Sequence, residues 1–539
     1  MSMSTSKELD ELAVENFRTY LRFSTVHPDP DYTDAVDWLR NQGVKMGLEC
    51  FLTEIVAKNP ILIMRWPGSD PSLRSIMLNS HMDVVPVERE KWAYDPFAAE
   101  MSLDGNIYGR GAQDMKSVGI QQLEAVRRLK LEGFVPKRTI YLTFLPDEEV
   151  GGGRGMQPFV SGVKPNRPGA PNEISFAEMN VGLCLDEGIA CPRPDVFYAF
   201  YEERSPWWVS FLIPGNAGHG SRFIEDTAVE KLHRLMDRLL AFRDSEKKKL
   251  ELIKGNDLAL GGVVTSNINV IKGGIEPNVV PAEIEVQVDF RLPPTLDFDA
   301  FEQQIHKWAD ESGEGIKINY IQKDMSTTGH GNLSGTYDAS DPVLEALKSS
   351  SCLIGAHLEV GVFFGSTDAR FLRRWHKVHA GEKPIKAYGF SPMCDVPVLL
   401  HDHDEYLNKK TFLDGVRVTF LSKDMGTYGH GSVDIPIDSH PNDVWWNILE
   451  DVLSRRSIGL QTGISGGSND GRYLRQYHRL CAPDSKPIKA ISFSPLRNTR
   501  ILHHASNEFV SRKAFLEGVQ ILAEIVQMAS SVERQEDDA

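Results

Sequence analysis

Long apolar runs are missing from this 539-residue chain. None approaches the roughly 20 residues that a membrane-spanning helix requires, so no helical membrane span is expected. Cysteine is scarce and scattered: Cys50, Cys184, Cys191, Cys352, Cys394 and Cys481 never fall in a CxxC pair. That spacing excludes a thiolate zinc site and a disulfide framework, and suits free thiols in a reducing compartment. Positive charge is in deficit, with 59 Lys and Arg against 75 Asp and Glu and a formal net charge of −16. With no compact basic patch, a general affinity for nucleic acid or anionic membrane is excluded. The opening stretch, "MSMSTSKELDELAVENFRTYL", is acidic and amphipathic and lacks the apolar core of a secretion signal. The expectation is a soluble, cytoplasmic protein that acts on a small molecule. Any metal it holds should be bound by histidine and carboxylate.

Apolar residues make up 41% of the chain, enough to bury real cores on a length that suits two or more domains. Short apolar strand candidates ("ILIMRW", 61–66; "SIMLNSHMDVVP", 75–86; "TIYLTFLPDEEVGGGRG", 139–155) alternate with helical patterns such as "MKSVGIQQLEAVRRLKLEG" (115–133). This alternation predicts a helix-covered, mostly parallel sheet of the α/β class. In such sheets ligands collect beyond the C-terminal strand ends. Three acids in a row, Asp147, Glu148 and Glu149, follow the strand 140–145. Adjacent carboxylates against a core repel and lose hydration, and a metal ion would neutralise them; a solvated acidic turn is the plainer alternative. His81 and Asp83 follow another strand, a ligand imidazole with a carboxylate near enough to orient it, or simply a turn histidine. Asp114, in "YGRGAQDMK", precedes a helix, where it could bind metal or act as an ordinary cap. Asp186 and Glu187 end the strand in "GLCLDEGIA", and His401 lies in "VPVLLHDHDEYL". Two histidines and several carboxylates at separate strand ends match the ligand set of hydrolytic zinc.

Taken in order, "NSHMDVVPVEREKWAYDPF", "DGNIYGRGAQDMK", "TIYLTFLPDEEVGGGRGM", "LDEGIA", "ERSPWW", "GNAGHGS", "NVVPAEIEVQVDFRL" and "GFSPMCDVPVLLHDHDE" resemble the aminoacylases. These are N-acyl-L-amino-acid amidohydrolases, grouped with the two-zinc peptidases that include carboxypeptidase G and the succinyl-diaminopimelate desuccinylases. The likeness spans nearly all of residues 5–420. It implies two Zn2+ per subunit, bridged by Asp114, with His81 and Glu187 completing one site and Glu149 and His401 the other. Glu148 would be the general base, and Asp83 would belong to the catalytic set. It further implies hydrolysis of small-molecule N-acyl amino acids by a homodimer. A related dinuclear zinc dipeptidase or carboxypeptidase would share the same motifs.

Residues 204–318 differ in texture, with strand-rich pieces around a helical stretch at 227–252, and are expected to form an inserted α+β lid and dimerisation domain. By the resemblance, His219 would reach the partner subunit's site and stabilise the oxyanion. Asn278 and Arg291 would hold the substrate, the arginine through its α-carboxylate. The catalytic domain would then comprise residues 1–203 and 319–421. After residue 318 the chain departs from the family pattern by repeating itself: "KDMSTTGHG" recurs as "KDMGTYGHG", "GSTDARFLRRWHK" as "GSNDGRYLRQYHR" and "KPIKAYGFSP" as "KPIKAISFSP". Asp368 matches Asp470, and His401 matches His504. One sheet accepts one closing segment. The first copy keeps "HDHDE" where the second reads "HHASNE", so His401 is the expected ligand, His504 its alternative, and residues 422–539 an appended unit. Two alternative exons joined in one transcript would give the same pattern. A non-catalytic scaffold would result if the repeat blocked assembly of the site.

Overall fold

A computed structural model describes residues 6–163, 173–253, 257–324, 341–375, 379, 383–421, 444–456, 458 and 511–529. Its largest element is an eight-stranded sheet whose order is Glu49–Val56, Asn59–Trp66, Ile140–Leu145, Ser75–His81, Val181–Asp186, Lys386–Phe390, Val196–Glu203 and His357–Phe363. The four central strands, from Ile140–Leu145 to Lys386–Phe390, run parallel. Their C-terminal ends therefore share one edge, as the α/β reading requires. Antiparallel pairing enters at the hairpin Glu49–Trp66 and where Phe390 meets Ala199.

Strand Ser75–His81 is buried at every position, so its polar end must be satisfied internally. Asn79 Nδ2 donates to Asp186 Oδ1 at 2.9 Å, and Thr143 Oγ1 donates to Asn79 Oδ1 at 2.6 Å. Side chains thus tie three strand ends together just below the rim. Helix Lys116–Leu131 covers this region, and it approaches closely because of Gly119: a Cβ there would lie 2.8 Å from Ser80 Oγ and 3.1 Å from the Phe144 ring. Helices Ser6–Leu21 and Lys409–Leu421 pack beside it, with Phe17 stacked on Phe412 at 4.6 Å.

The inserted domain is a four-stranded antiparallel sheet, ordered Thr265–Gly273, Glu283–Leu292, Ser205–Pro214 and Lys317–Lys323, with helices Ala228–Leu252 and Phe298–Ser312. Strand Glu283–Leu292 alternates buried and half-exposed residues, the pattern of a sheet covered on one face. Its core gathers Trp207, Val209, Phe211, Leu235, Val286 and Phe301. The last strand pairs with Ser205–Pro214 as far as Lys323 opposite Trp207. The expected boundary at 318 therefore falls inside strand Lys317–Lys323.

Residues 428–539 form a separate unit. Its described helices, Val444–Ser454 and Arg512–Ala529, pack on each other through Leu449, Val452, Leu453 and Ile521. Asp470, His504 and the repeated motifs around them lie outside the described residues. Among the described residues no helix is long and apolar enough to cross a membrane.

Candidate active site

The three acids after strand Ile140–Leu145 divide their work. Asp147 takes a left-handed backbone, Glu148–Val150 form one 3-10 turn, and Gly151 and Gly152 continue at φ of 102° and 68°, values that favour glycine. The Asp147 carboxylate accepts from Arg154 N at 2.7 Å and its carbonyl from Gly152 N at 2.7 Å. Asp147 thus closes the turn. Glu148 and Glu149 are left to face the rim.

The backbone of those two glutamates is held by Asp83, whose carboxylate accepts from Glu148 N at 3.2 Å and Glu149 N at 3.0 Å. His27 Nε2 meets the same group at 2.8 Å. This corrects the expectation that the Asp83 carboxylate orients His81. Its oxygens are taken by the neighbouring loop, 3.7 Å from His81 Nδ1 at the nearest, and Nδ1 instead faces the Asp83 backbone carbonyl at 2.9 Å.

Asp114 does not cap the following helix, whose flanking residue is Met115 and which has no side-chain cap. The loop bearing it is fixed by Glu405, whose carboxylate accepts from Gly111 N, Gln113 N and Asp114 N at 3.1, 2.6 and 3.2 Å and pairs with Arg110 at 2.9 Å. His401, four residues before Glu405, has a left-handed backbone. One side of the closing segment thus supports the Asp114 loop while the other presents an imidazole.

The carboxylate of Asp114 lies between two imidazoles. Oδ1 is 3.0 Å from His81 Nε2, and Oδ2 is 3.3 Å from His401 Nε2. Each histidine has a second carboxylate, Glu187 at 3.5 Å from His81 and Glu149 at 3.0 Å from His401. Ligand atoms of His81, Asp114 and Glu149 lie within 4.8 Å of one another, as do those of His81, Glu148 and Glu187. The Asp83 carbonyl can only accept, so His81 Nδ1 carries a proton, and Nε2, 3.0 Å from the Asp114 carboxylate, either donates as an imidazolium or, in the neutral ring, offers its lone pair to a cation. A metal cation held there would take the place of those protons, and the nitrogen and oxygen donor set suits a divalent transition metal.

The titration of these groups expresses the same need. Burial, then the charge of Asp114, raises Glu149 to about 7. Burial and the charge of Glu187 hold Glu148 well above the usual carboxylate range. Hydrogen bonds to Asp114 and Glu149 lift His401 to about 10. Burial opposes protonation of His81, but the charge of Glu187 and the hydrogen bond to Asp114 outweigh it.

Of the residues expected in the inserted segment, His219 and Arg291 lie on its own strands and Asn278 on the turn before Val279–Val280. His219 is exposed, with Nδ1 2.8 Å from Ser221 Oγ, and its strand pairs with Val279. Asn278 accepts Gly220 N through its carbonyl. Arg291 is forked on Asp289 at 2.9 and 3.1 Å. None of these contacts reaches the metal-ligand cluster.

Several neighbours of the site carry no local sequence signal. His27 and Glu405 support it from distant positions. Arg370 stands 3.8 Å from Glu148 Oε1, and Asp368 is fully buried with both carboxylate oxygens unpaired among the described residues. Only the repetition of "DAR" as "DGR" in the second copy marked the last two.

A parallel-centred sheet with histidines and carboxylates converging on its C-terminal edge defines a metal-dependent hydrolase. The model of Peptidase family M20/M25/M40 matches residues 77–421, and the chain belongs to that family. It is 46% identical over 415 residues to Aminoacylase-1 of Sus scrofa, covering 77% of this chain and 95% of that protein. It is 44% identical over 415 residues to Aminoacylase-1 of Homo sapiens, with the same coverage of 77% and 95%. Aminoacylase-1 of Dictyostelium discoideum is 39% identical over 427 residues, covering 77% and 97%. Among solved structures, an M20 family metallo-carboxypeptidase from Sulfolobus solfataricus shares the fold with a TM-score of 0.57 at 16% identity, covering 77% of this chain and 99% of that one. Aminopeptidase PepT from Bacillus cereus gives 0.56 at 15% identity, covering 78% and 99%.

The metal-free protein should lose stability as pH rises. His401, at about 10 in the fold against 6.5 unfolded, contributes stability that is complete below pH 6.5 and gone above pH 10. Glu149, at about 7 against 4.5, contributes in the same direction between those values. Thermal unfolding of metal-free protein should therefore show Tm falling from neutral pH to pH 10. Divalent metal should flatten the slope by replacing the protons. A metal-free Tm that rises over this window would refute the charge arrangement.

Proposed function

We propose that the protein hydrolyses N-acyl-L-amino acids to a carboxylate and a free L-amino acid, with two zinc ions that Asp114 and its neighbours would hold. The observation that carries this reading is the placement of one imidazole on each Asp114 oxygen, each backed by a separate glutamate. His81 and Glu187 would hold one ion, His401 and Glu149 the other. Bound metal would supply Lewis acidity toward the amide carbonyl and toward water. Kinship with the aminoacylases supports the substrate class, and the absence of CxxC pairs supports a reducing, cytoplasmic setting.

Glu148 is the proton carrier. It lies within the cluster, its backbone is fixed by Asp83, and its raised carboxyl suits a group that must both accept and release a proton near neutrality. It takes the proton of the attacking water and returns it to the departing amine. Asp83 and His27 keep its turn in place. Arg291 and Asn278 bind the substrate, the guanidinium exchanging Asp289 for the substrate α-carboxylate, and His219 stabilises the oxyanion.

The reading assigns His219 to a neighbouring subunit's site and the inserted domain to a homodimer interface. Strand Thr265–Gly273 is an open sheet edge. Beside it a groove of about 430 Å3 is lined in part by Leu239, Leu240, Ile268 and Ile271, an apolar edge of the kind that pairing covers. The segment from Asp324 to residue 421 is the docked closing copy, and residues from 422 onward are appended.

Three outcomes are expected. Glu148→Gln should keep its metal, counted on purified protein, and lose hydrolysis of N-acetyl-L-methionine by more than the roughly 10²–10⁴ typical of a general base, because it also positions the water. Near-normal turnover would remove it from the role. Mixing inactive Glu148→Gln subunits with inactive His219→Ala subunits should restore activity, since one site of the heterodimer is then whole. No recovery after demonstrated subunit exchange would place His219 outside a shared site. His401→Ala should lose metal and turnover while His504→Ala keeps both; the opposite result would make the second copy the docked one.

A further inference from the structure

The chain passes between the two domains of its main body at Glu203–Ser205 and again at Lys323–Asp324. One short stretch, residues 363–374, touches both crossings. Arg204 donates through its backbone N to Phe363 O at 3.0 Å and through Nε to Phe364 O at 2.9 Å. Glu203 accepts from Thr367 Oγ1 at 2.9 Å and Arg373 Nη1 at 2.8 Å. At the second crossing, Asp324 is held by Trp207 Nε1, which donates to its carbonyl at 2.7 Å. Its carboxylate lies 3.7 Å from Arg370 Nε.

Arg370 also faces the catalytic glutamate. Its guanidinium donates to Thr367 O at 2.7 Å and to Gly151 O at 2.8 Å. Nη1 is 3.8 Å from Glu148 Oε1. Gly151 begins the positive-φ pair that follows the Glu148 turn, so Arg370 grips the base through its backbone as well as its charge. The Arg370 side chain is only 4% exposed, which leaves these charges weakly screened. Its Nε, buried, has no hydrogen-bond partner among the described residues. At 3.7 Å the nearest acceptor is about 0.8 Å beyond an ordinary N–H···O length.

We propose that Arg370 is a positioning residue that makes the alignment of Glu148 depend on how the inserted domain is seated at Asp324. A movement of under about an ångström at the second crossing completes the Nε hydrogen bond. The guanidinium, already fixed to Gly151 and Thr367, then holds the base turn in its working position. With Asp324 withdrawn, the same cation keeps only its bonds to Gly151 and Thr367 and the turn is less constrained. The base is thus aligned when the inserted domain, which carries His219, Asn278 and Arg291, is in place. This rests on the assignment of Glu148 as the proton carrier.

The test is a double-mutant cycle on metal-loaded, full-length protein with N-acetyl-L-methionine. Asp324→Asn keeps size and an acceptor but removes the charge. It should lower kcat about tenfold, within the range a small misplacement costs, with KM within about twofold and with metal content and Tm unchanged. Arg370→Lys should lower kcat by at least as much, and the double variant should be no worse than Arg370→Lys alone, because coupled residues are not additive. Multiplicative losses, an unchanged kcat in Asp324→Asn, or a change confined to KM would overturn the proposal. If Arg370→Lys does not fold, the cycle of Asp324→Asn with Glu148→Asp gives the same comparison. Glu148→Gln reports separately on the base: full turnover there refutes that assignment, whereas additivity in the cycle refutes only the coupling.

Discussion

The structure turns on a local shortage of positive charge. Asp114, Glu148, Glu149 and Glu187 converge on two imidazoles, and the hydrogen bond at His81 Nδ1 turns its other nitrogen toward the Asp114 carboxylate. In water such a gathering would disperse; inside a protein it persists only when cations answer it. Everything around the rim serves to keep the acceptors close: Asn79 ties neighbouring strand ends, Asp83 clamps the glutamate turn, and Glu405 clamps the Asp114 loop. The fold spends its buried polar groups on backbone N–H donors so that the ligand carboxylates themselves remain free.

That division of labour explains why acids come in runs here. Of Asp147, Glu148 and Glu149, the first shapes the chain, while the proposed function gives proton transfer to the second and a metal to the third. Of Asp404 and Glu405, the first accepts Ala93 N at 2.8 Å and the second anchors the Asp114 loop. Acidic residues next to each other in sequence thus serve different loops. A ligand set built this way is rigid because each ligand's neighbour is itself tied down.

The placement of His81, Glu149 and Glu187 was legible in the sequence because apolar runs of strand length stop at or just before these polar residues, and parallel strands bring such stops to one edge; Asp114 lies, as read, on the turn before a helix, whereas His401 lies on a loop between Lys386–Phe390 and Tyr406–Asn408 and not at the strand end that "VPVLL" suggested. The strand-rich texture of residues 204–318 was legible from their alternating pattern. Its far boundary was not, since the last residues of Lys317–Lys323 are polar and take their pairing from Trp207 and Trp208 more than a hundred positions earlier. The true partners of Asp83 were hidden for the same reason: Glu148 N lies 65 residues away, and a carboxylate two residues from a histidine was the nearer inference. Arg370 was marked only by its recurrence in the repeat, and nothing near it in sequence told its work, which is defined by a carbonyl 219 residues distant.

Strand Lys386–Phe390 lies between Val181–Asp186 and Val196–Glu203, two strands made almost two hundred residues earlier, so the sheet leaves the ribosome with a gap. The inserted domain must be synthesised in full before anything can fill it. His401 precedes His504 by 103 positions, which at about 5–20 residues per second gives the first closing segment a lead of roughly 5–20 s over its repeat. Order of birth, as well as ligand chemistry, favours the first segment as the strand that completes the sheet.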